Sequence, residues 1–225
     1  MCVGCKTYLT EAVFRLEDLF AKALTNKDTP MVDGDHPEED TSVLLDDEVY
    51  RKYQMLIGVL NWIVCICRMN VAFATALLLL FVDCPRKGHL DLVLRVFGYL
   101  KKYNNRRILI DSKYPIRVGG KDPLNLDFRI MFEDQYPDAA EDIDTKVPDP
   151  LIYELEITVF VDSDHAHDKS PRISITGFLI LVGRTPVYFM SKCQGYIATS
   201  TYGEKFCAMR NAVEEVQDVR YMLRC

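Results

Sequence analysis

The chain has 225 residues, a formal net charge of −6, 49% hydrophobic residues and a mean hydropathy of −0.02. So much apolar content supports a sizeable core and excludes global disorder. The acidic balance excludes a broadly basic nucleic-acid-binding surface, though not a local one.

Eight cysteines occur, at 2, 5, 65, 67, 84, 193, 207 and 225. The N-terminus "MCVGCKTYLTEAV" lacks the apolar core and cleavage site of a secretory signal, so a reduced, intracellular chain is expected. Cys2 and Cys5 form a CxxC and Cys65 and Cys67 a CxC. No second pair at zinc-ligand spacing accompanies either, and no metal is assigned.

Residues 7–25 place Leu9, Val13, Leu16, Leu19, Phe20 and Leu24 at helical spacing, which predicts an amphipathic helix. Residues 28–50 carry nine acids and no Lys or Arg, with Pro30, Gly34 and Pro37, and read as an exposed linker. "LLDDEV" (44–49) precedes a helical pattern, so its acids are expected to cap a helix. The apolar runs 55–67 and 71–82 are shorter than the ~18–20 residues that span a bilayer, and a buried helical hairpin is expected, with no membrane partner.

Residues 88–103 predict a further helix with Leu90, Val93, Leu94, Phe97 and Leu100 on one face. Asp91 and Arg95 are one turn apart and able to pair. Arg86, Lys87, His89, Arg95, Lys101, Lys102, Arg106 and Arg107 make 86–107 the basic segment. It reads either as a track for a phosphate backbone or as a solvated helix face.

The acidic stretch 133–150, with Pro137, Pro148 and Pro150, predicts a linker between a helical region, 1–132, and a second domain, 151–225. There the pattern changes. "LEITVFVD" is a β-branched run typical of a strand, and "RISITGFLILV" and "TPVYFMSK" follow as strands joined across Gly183-Arg184. "GEKFCAMRNAVEEVQDVRYML" then repeats Phe206, Met209, Val213, Val216 and Val219 at helical spacing. The expected fold class is α+β, a helical region followed by three strands and one helix.

"VFVDSDHAHD" (159–168) holds Asp162, Asp164, His165, His167 and Asp168 after that first strand. An acid at a strand's carboxyl end is a candidate magnesium ligand. Two-metal phosphodiester chemistry needs several such acids converging from different elements. A strand followed by DxD also fits aspartyl-phosphate phosphatases, but those place Thr or Ser shortly after the second Asp, where "HAHD" stands here.

"VDSDHAHDKSPRISITGF", "YFMSKCQG" and "TSTYGEKFCAMRNAVEEV" resemble the ribonuclease H region of copia-type retrotransposon polyproteins. "TPMVDGDHPE", "YRKYQMLIGVLNW", "PRKGHLDLVLRVFGYLKKY" and "YPDAAEDI" resemble the reverse transcriptase tail and connection upstream of it. The resemblance implies a partial ribonuclease-H-like unit, with RNA–DNA hybrid or DNA as partner and magnesium as the family's cofactor. It places the first catalytic Asp on Asp162 and the catalytic Glu on Lys205, with Glu204 one place early. A shift of one helical residue turns a side chain by about 100°, so Glu204 is expected to point away, held there by Phe206, Met209 and Val213. Lysine only donates hydrogen bonds and binds no magnesium. The histidines are ordinary loop residues in this reading.

The family's later acids and its paired polymerase Asp are expected to lie outside this chain. The expectation is therefore a catalytically inactive fragment with no cofactor of its own. The alternatives are an active ribonuclease H completed by another chain and a non-catalytic nucleic-acid-binding module using Arg86, Lys87, Arg95, Lys101, Lys102, Arg106 and Arg107. Without a later strand beside it, "EITVFV" (156–161) is expected to expose an apolar edge, which favours self-association and leaves residues 151–225 marginal alone.

Overall fold

A computed structural model of the chain describes residues 1–32, 34–111, 157–164, 174–195 and 200–224. Among these the architecture is mixed α+β, with two small antiparallel sheets. Strand β1 (Cys2–Val3) leads into helix α1 (Lys6–Leu19), and α2 (Asp47–Ile66), α3 (Ala72–Leu79) and α4 (Lys87–Lys102) follow. Strand β2 (Ile108–Leu109) then returns to pair with β1. The second part consists of β3 (Ile157–Asp164), β4 (Ile175–Val182), β5 (Thr185–Cys193) and helix α5 (Thr201–Arg224).

The helical part forms around one apolar stripe per helix. Leu9, Val13 and Leu16 of α1, Leu56, Leu60 and Ile63 of α2, and Val93, Phe97 and Leu100 of α4 are buried together. The spacing of three and four residues puts each set on one face. Helix α1 stops earlier than its apolar pattern, because Ala21 takes a positive φ of 47° after the last turn. Leu24 still packs against the core from the irregular segment beyond.

The expected cap of α2 is present. The Asp46 carboxylate accepts from the Val49 backbone N–H at 2.9 Å, and Asp47 and Glu48 fill the first turn. The expected hairpin of apolar helices is also present, since α2 packs on α3 through a short turn. Buried Tyr53 fixes the pair by donating to the Leu78 carbonyl at 2.8 Å. In that turn Arg68 is 1% exposed. It donates to the carbonyl of Tyr103, at the end of α4, and to Asn70 Oδ1. A guanidinium at helix-terminal carbonyls opposes the negative end of the dipole, while burial lowers its pKa from the ordinary guanidinium value.

The segment 28–50 is not an exposed linker. It lies along α4 as a strap. Lys87 N donates to Val43 O, Leu45 N to Pro85 O, and Gly88 N to Ser42 Oγ. His89, 3% exposed, accepts from Arg86 N at Nδ1. The opposite nitrogen, Nε2, therefore carries the proton and donates to the Pro37 carbonyl at 2.8 Å. Further along, Lys27 N donates to Gly98 O, and Lys102 pairs with Asp28. Of the acids in this segment, Asp28 pairs with Lys102 and Asp40 lies near His89, while Asp35, Glu38 and Asp46 bond within the segment or cap α2. Arg95 does not pair with Asp91, because the strap draws it to Thr29 Oγ1 at 3.0 Å.

The three-stranded sheet runs β3-β4-β5, all antiparallel. The β4–β5 turn is Gly183-Arg184, where Gly183 takes φ 60°. That conformation at the first central residue suits a two-residue hairpin. Pro186 cannot donate to β4, and the register shifts opposite it, between Ile180 and Leu181. Side chains alternate between two differently covered faces. Val159, Val161, Phe178 and Ile180 face α5, whose Ala212, Val216 and Val219 close over them. On the other side Phe189 packs into the helical core, and α3 lies against β5. Asp111, just after β2, ties the two parts: its N–H and C=O both bond Thr185 Oγ1, and its carboxylate pairs with Arg184.

The described face of α5 differs from the expected one. Phe206, Met209 and Val213 are more than half exposed, whereas Glu204, Ala208, Ala212 and Val219 are buried. Helical spacing is satisfied by both stripes. The small side chains at 208 and 212 let the helix lie close to the sheet, which the bulkier stripe would prevent. Cys65, expected within the core, is exposed, while Cys67 is buried. The boundary segment 133–150 lies outside the described residues. Among the described residues no helix is long and apolar enough to cross a membrane.

Candidate functional site

Asp162 stands in the sixth residue pair of the β3–β4 ladder, opposite Gly177. It is exposed, and its Oδ1 accepts from the next backbone N–H, Ser163, at 2.8 Å. Strand alternation sends Asp162 and Asp164 to the face that looks toward the helical part. There they border a cleft of about 320 Å³ whose other walls include Met69, Ala72, Phe73, Leu179 and Phe189. The setting is a carboxylate pair at the rim of an apolar wall. His165, His167 and Asp168 lie outside the described residues.

Glu204 occupies the opposite side of the same sheet. Ser200 starts α5 by accepting the Gly203 N–H at its hydroxyl, 3.1 Å away, and that start sets the rotation of the first turn. The rotation carries Glu204 inward to 0% exposure. The Ser174 hydroxyl donates to its Oε1 at 2.5 Å. Gln194 Nε2 bridges the Glu204 carbonyl and Thr176 Oγ1, and Gln194 N donates to Ser174 O. Glu204 thus points away from Asp162, as expected, but it does so by turning into the protein, and Phe206, Met209 and Val213, expected to anchor the helix, are exposed. It is the outward neighbour, Lys205, that is exposed.

Asp162 and Glu204 are therefore not brought together, since Asp162 and Ser174, the partner of Glu204, project from opposite faces of the β3–β4 pair. Among the described residues no group of three or more His, Cys, Asp or Glu side chains is placed to hold a metal ion. What Glu204 does is structural: it closes a buried polar cluster linking the first turn of α5 to β4 and to the end of β5. Sequence reasoning missed Ser174 and Gln194 as its partners. A signal existed, since both polar residues flank apolar strands within "RISITG" and "SKCQG".

The basic segment is spent largely on the protein itself. Arg86 donates to the Ser42 carbonyl, Arg95 to Thr29, Lys101 to Glu17 and Leu24 O, and Lys102 pairs with Asp28. Hydrogen bonding to Lys101 holds the Glu17 carboxyl below its usual range, with help from the Leu24 amide. The Asp28 bond raises Lys102 in turn. Arg106 donates to Tyr99 Oη and lies over the Tyr103 ring at 4.5 Å. Lys87 is exposed. Arg107 reaches across Gly4, at a place where a Cβ on that residue would meet its Cγ at 2.9 Å. Lys6, Arg106 and Arg107 border a second cleft, of about 460 Å³, at the start of α1. No family model matches the chain, and comparison with curated proteins and with solved structures finds no match.

Proposed function

We propose that this chain is a non-catalytic segment of a copia-type retrotransposon polyprotein, covering the end of its reverse transcriptase and part of its ribonuclease H region. The observation that carries the inactive reading is the fate of the two acids. Asp162 is exposed on one sheet face, and Glu204 is buried on the other beneath Ser174. Two-metal phosphodiester cleavage needs carboxylates converging on one point. Lys205, at the position the resemblance gives to the catalytic Glu, offers an ammonium that repels a cation. The motif order supports the family reading: an acid on a first strand, two further antiparallel strands, then a helix opening on "TSTYGEKF". Contact with a hybrid is weak in this reading, because Arg86, Arg95 and Lys102 already serve the strap and Lys101 is held by Glu17 and Leu24 O.

The test is cleavage of a labelled RNA–DNA hybrid by the purified chain in magnesium or manganese. The expected rate equals that of Asp162→Asn. Lys205→Glu is expected to stay at the same level, since one carboxylate added to an exposed position supplies no converging set. Cleavage by either protein that disappears with Asp162→Asn would overturn the proposal.

A further inference from the structure

The two cysteine pairs of the sequence, CxxC at the N-terminus and CxC at the end of α2, each contribute one member to a single contact. Cys5 sits at the start of α1 and Cys67 at the end of α2, and their sulfurs lie 3.1 Å apart across 62 residues of chain. Both are buried, at 7% and 4% exposure. No third ligand joins them among the described residues. Cys5 also forms part of the wall of the 460 Å³ cleft bordered by Lys6, Arg106 and Arg107.

We infer that Cys5 and Cys67 are a reversible dithiol–disulfide pair, oxidised by a small anionic disulfide that enters the cleft beside Cys5. The geometry needs only a modest approach, because a disulfide bond is about 2.05 Å long and the sulfurs already touch. The cleft provides access on the Cys5 side, and its three cations, Lys6, Arg106 and Arg107, attract the carboxylates of the oxidant. Cys67 lies behind, where burial, with the Cys5 hydrogen bond, pushes its thiol up to about 12. Cys5 is thus the entry nucleophile and Cys67 the resolving thiol.

The chemistry balances with glutathione disulfide as the oxidant. The Cys5 thiolate attacks one of its sulfurs, the reagent's S–S bond breaks, and one glutathione leaves. Cys67 gives its proton to the departing thiolate and attacks the Cys5 sulfur, releasing the second glutathione. The protein loses two electrons and two protons, and the reagent becomes two thiols.

The experiment treats the full chain with excess glutathione disulfide, quenches with acid and maps the peptides without reduction. A parallel protein carries Cys2→Ser, Cys65→Ser and Cys84→Ser, which removes exposed thiols. A cross-linked Cys5–Cys67 peptide is expected in both, reversed by dithiothreitol, with a thermal midpoint several degrees above the reduced form. Cys67→Ser should trap glutathione on Cys5, and Arg107→Glu should slow oxidation several-fold without changing the product. The inference is overturned if Cys5 and Cys67 of the unsubstituted chain remain alkylatable thiols after unfolding, or if glutathione is found on Cys67 instead.

Discussion

Gly98→Ala sets two opposed effects against each other. Within a helix, alanine is favoured over glycine by about 1 kcal/mol, and Gly98 lies inside α4. Yet a Cβ there would fall well inside the 3.0 Å that such atoms keep, against the Thr25 carbonyl oxygen, with Lys27 Cγ at 3.2 Å behind it. The obstacle is backbone, so it yields only if residues 25–27, which lead into the strap, lift. Lifting weakens the Lys27 N–H to Gly98 O bond and strains the neighbouring Lys101 contact with Leu24 O. Overpacking of this kind costs about 1–3 kcal/mol, and the lost hydrogen bond about 1 kcal/mol. The helix gain and the lost bond roughly cancel, so the net expectation is destabilisation by about 1–3 kcal/mol, or roughly 2–12 °C for a chain of this size. Gly58→Ala is the control. Gly58 is exposed in α2 with nothing within 4 Å, so there the helix preference acts alone and stability rises by about 0.5–1 kcal/mol. Urea unfolding followed by far-ultraviolet circular dichroism measures both. A Gly98→Ala protein as stable as the parent would refute the close contact with Thr25.

Glu204→Ala removes the acceptor of the Ser174 hydroxyl from a buried cluster and should cost about 1–3 kcal/mol. Glu204→Gln should cost less, and a neutral result for the alanine variant would mean that the carboxylate is not buried there. The Glu17 carboxyl is held below its usual range by Lys101. A depressed folded-state value adds stability that is complete above the ordinary carboxylate range and is lost as pH falls through it. The unfolding midpoint of Glu17→Gln should therefore fall less between neutral and acid pH than the parent's; equal slopes would remove Glu17 from the acid limb. Among the described residues β3 pairs only with β4, and Phe160 on it is 60% exposed. Sedimentation should show concentration-dependent association that Phe160→Lys weakens, since edge charges oppose strand addition. A parent chain that stays monomeric at high concentration would count against it.

Strands and helices were legible where one physical requirement dominates. The run of β-branched residues at 157–161 has little alternative to a strand, Gly183 supplies the positive φ of its hairpin, and the acid before α2 caps it. What stayed hidden depends on pairs distant in sequence. The strap is polar and reads as a linker, and its course is set by backbone and side-chain bonds to α4 and the residues just before it. Helix α5 carries two apolar stripes at the same period, and periodicity does not choose between them. The choice comes from Ser174 and Gln194, polar groups on other elements that take Glu204 inside. The place of Asp162 on a strand was legible, but its relation to Glu204 needed the sheet to assign sides.

The pairing of β1 with β2 has a kinetic consequence. Met1 N donates to Ile110 O and Ile110 N to Met1 O, across 109 residues. Helices α2 to α4 meet partners near in sequence, so they can collapse early, whereas α1, which packs on α4, and the two-stranded ribbon must wait for a long loop to close. A ribbon of two residues per strand holds too few bonds to nucleate itself. Its formation then marks the end of assembly of the helical part, and in pulse-labelled refolding the Ile110 amide should gain protection after those of α2 and α4.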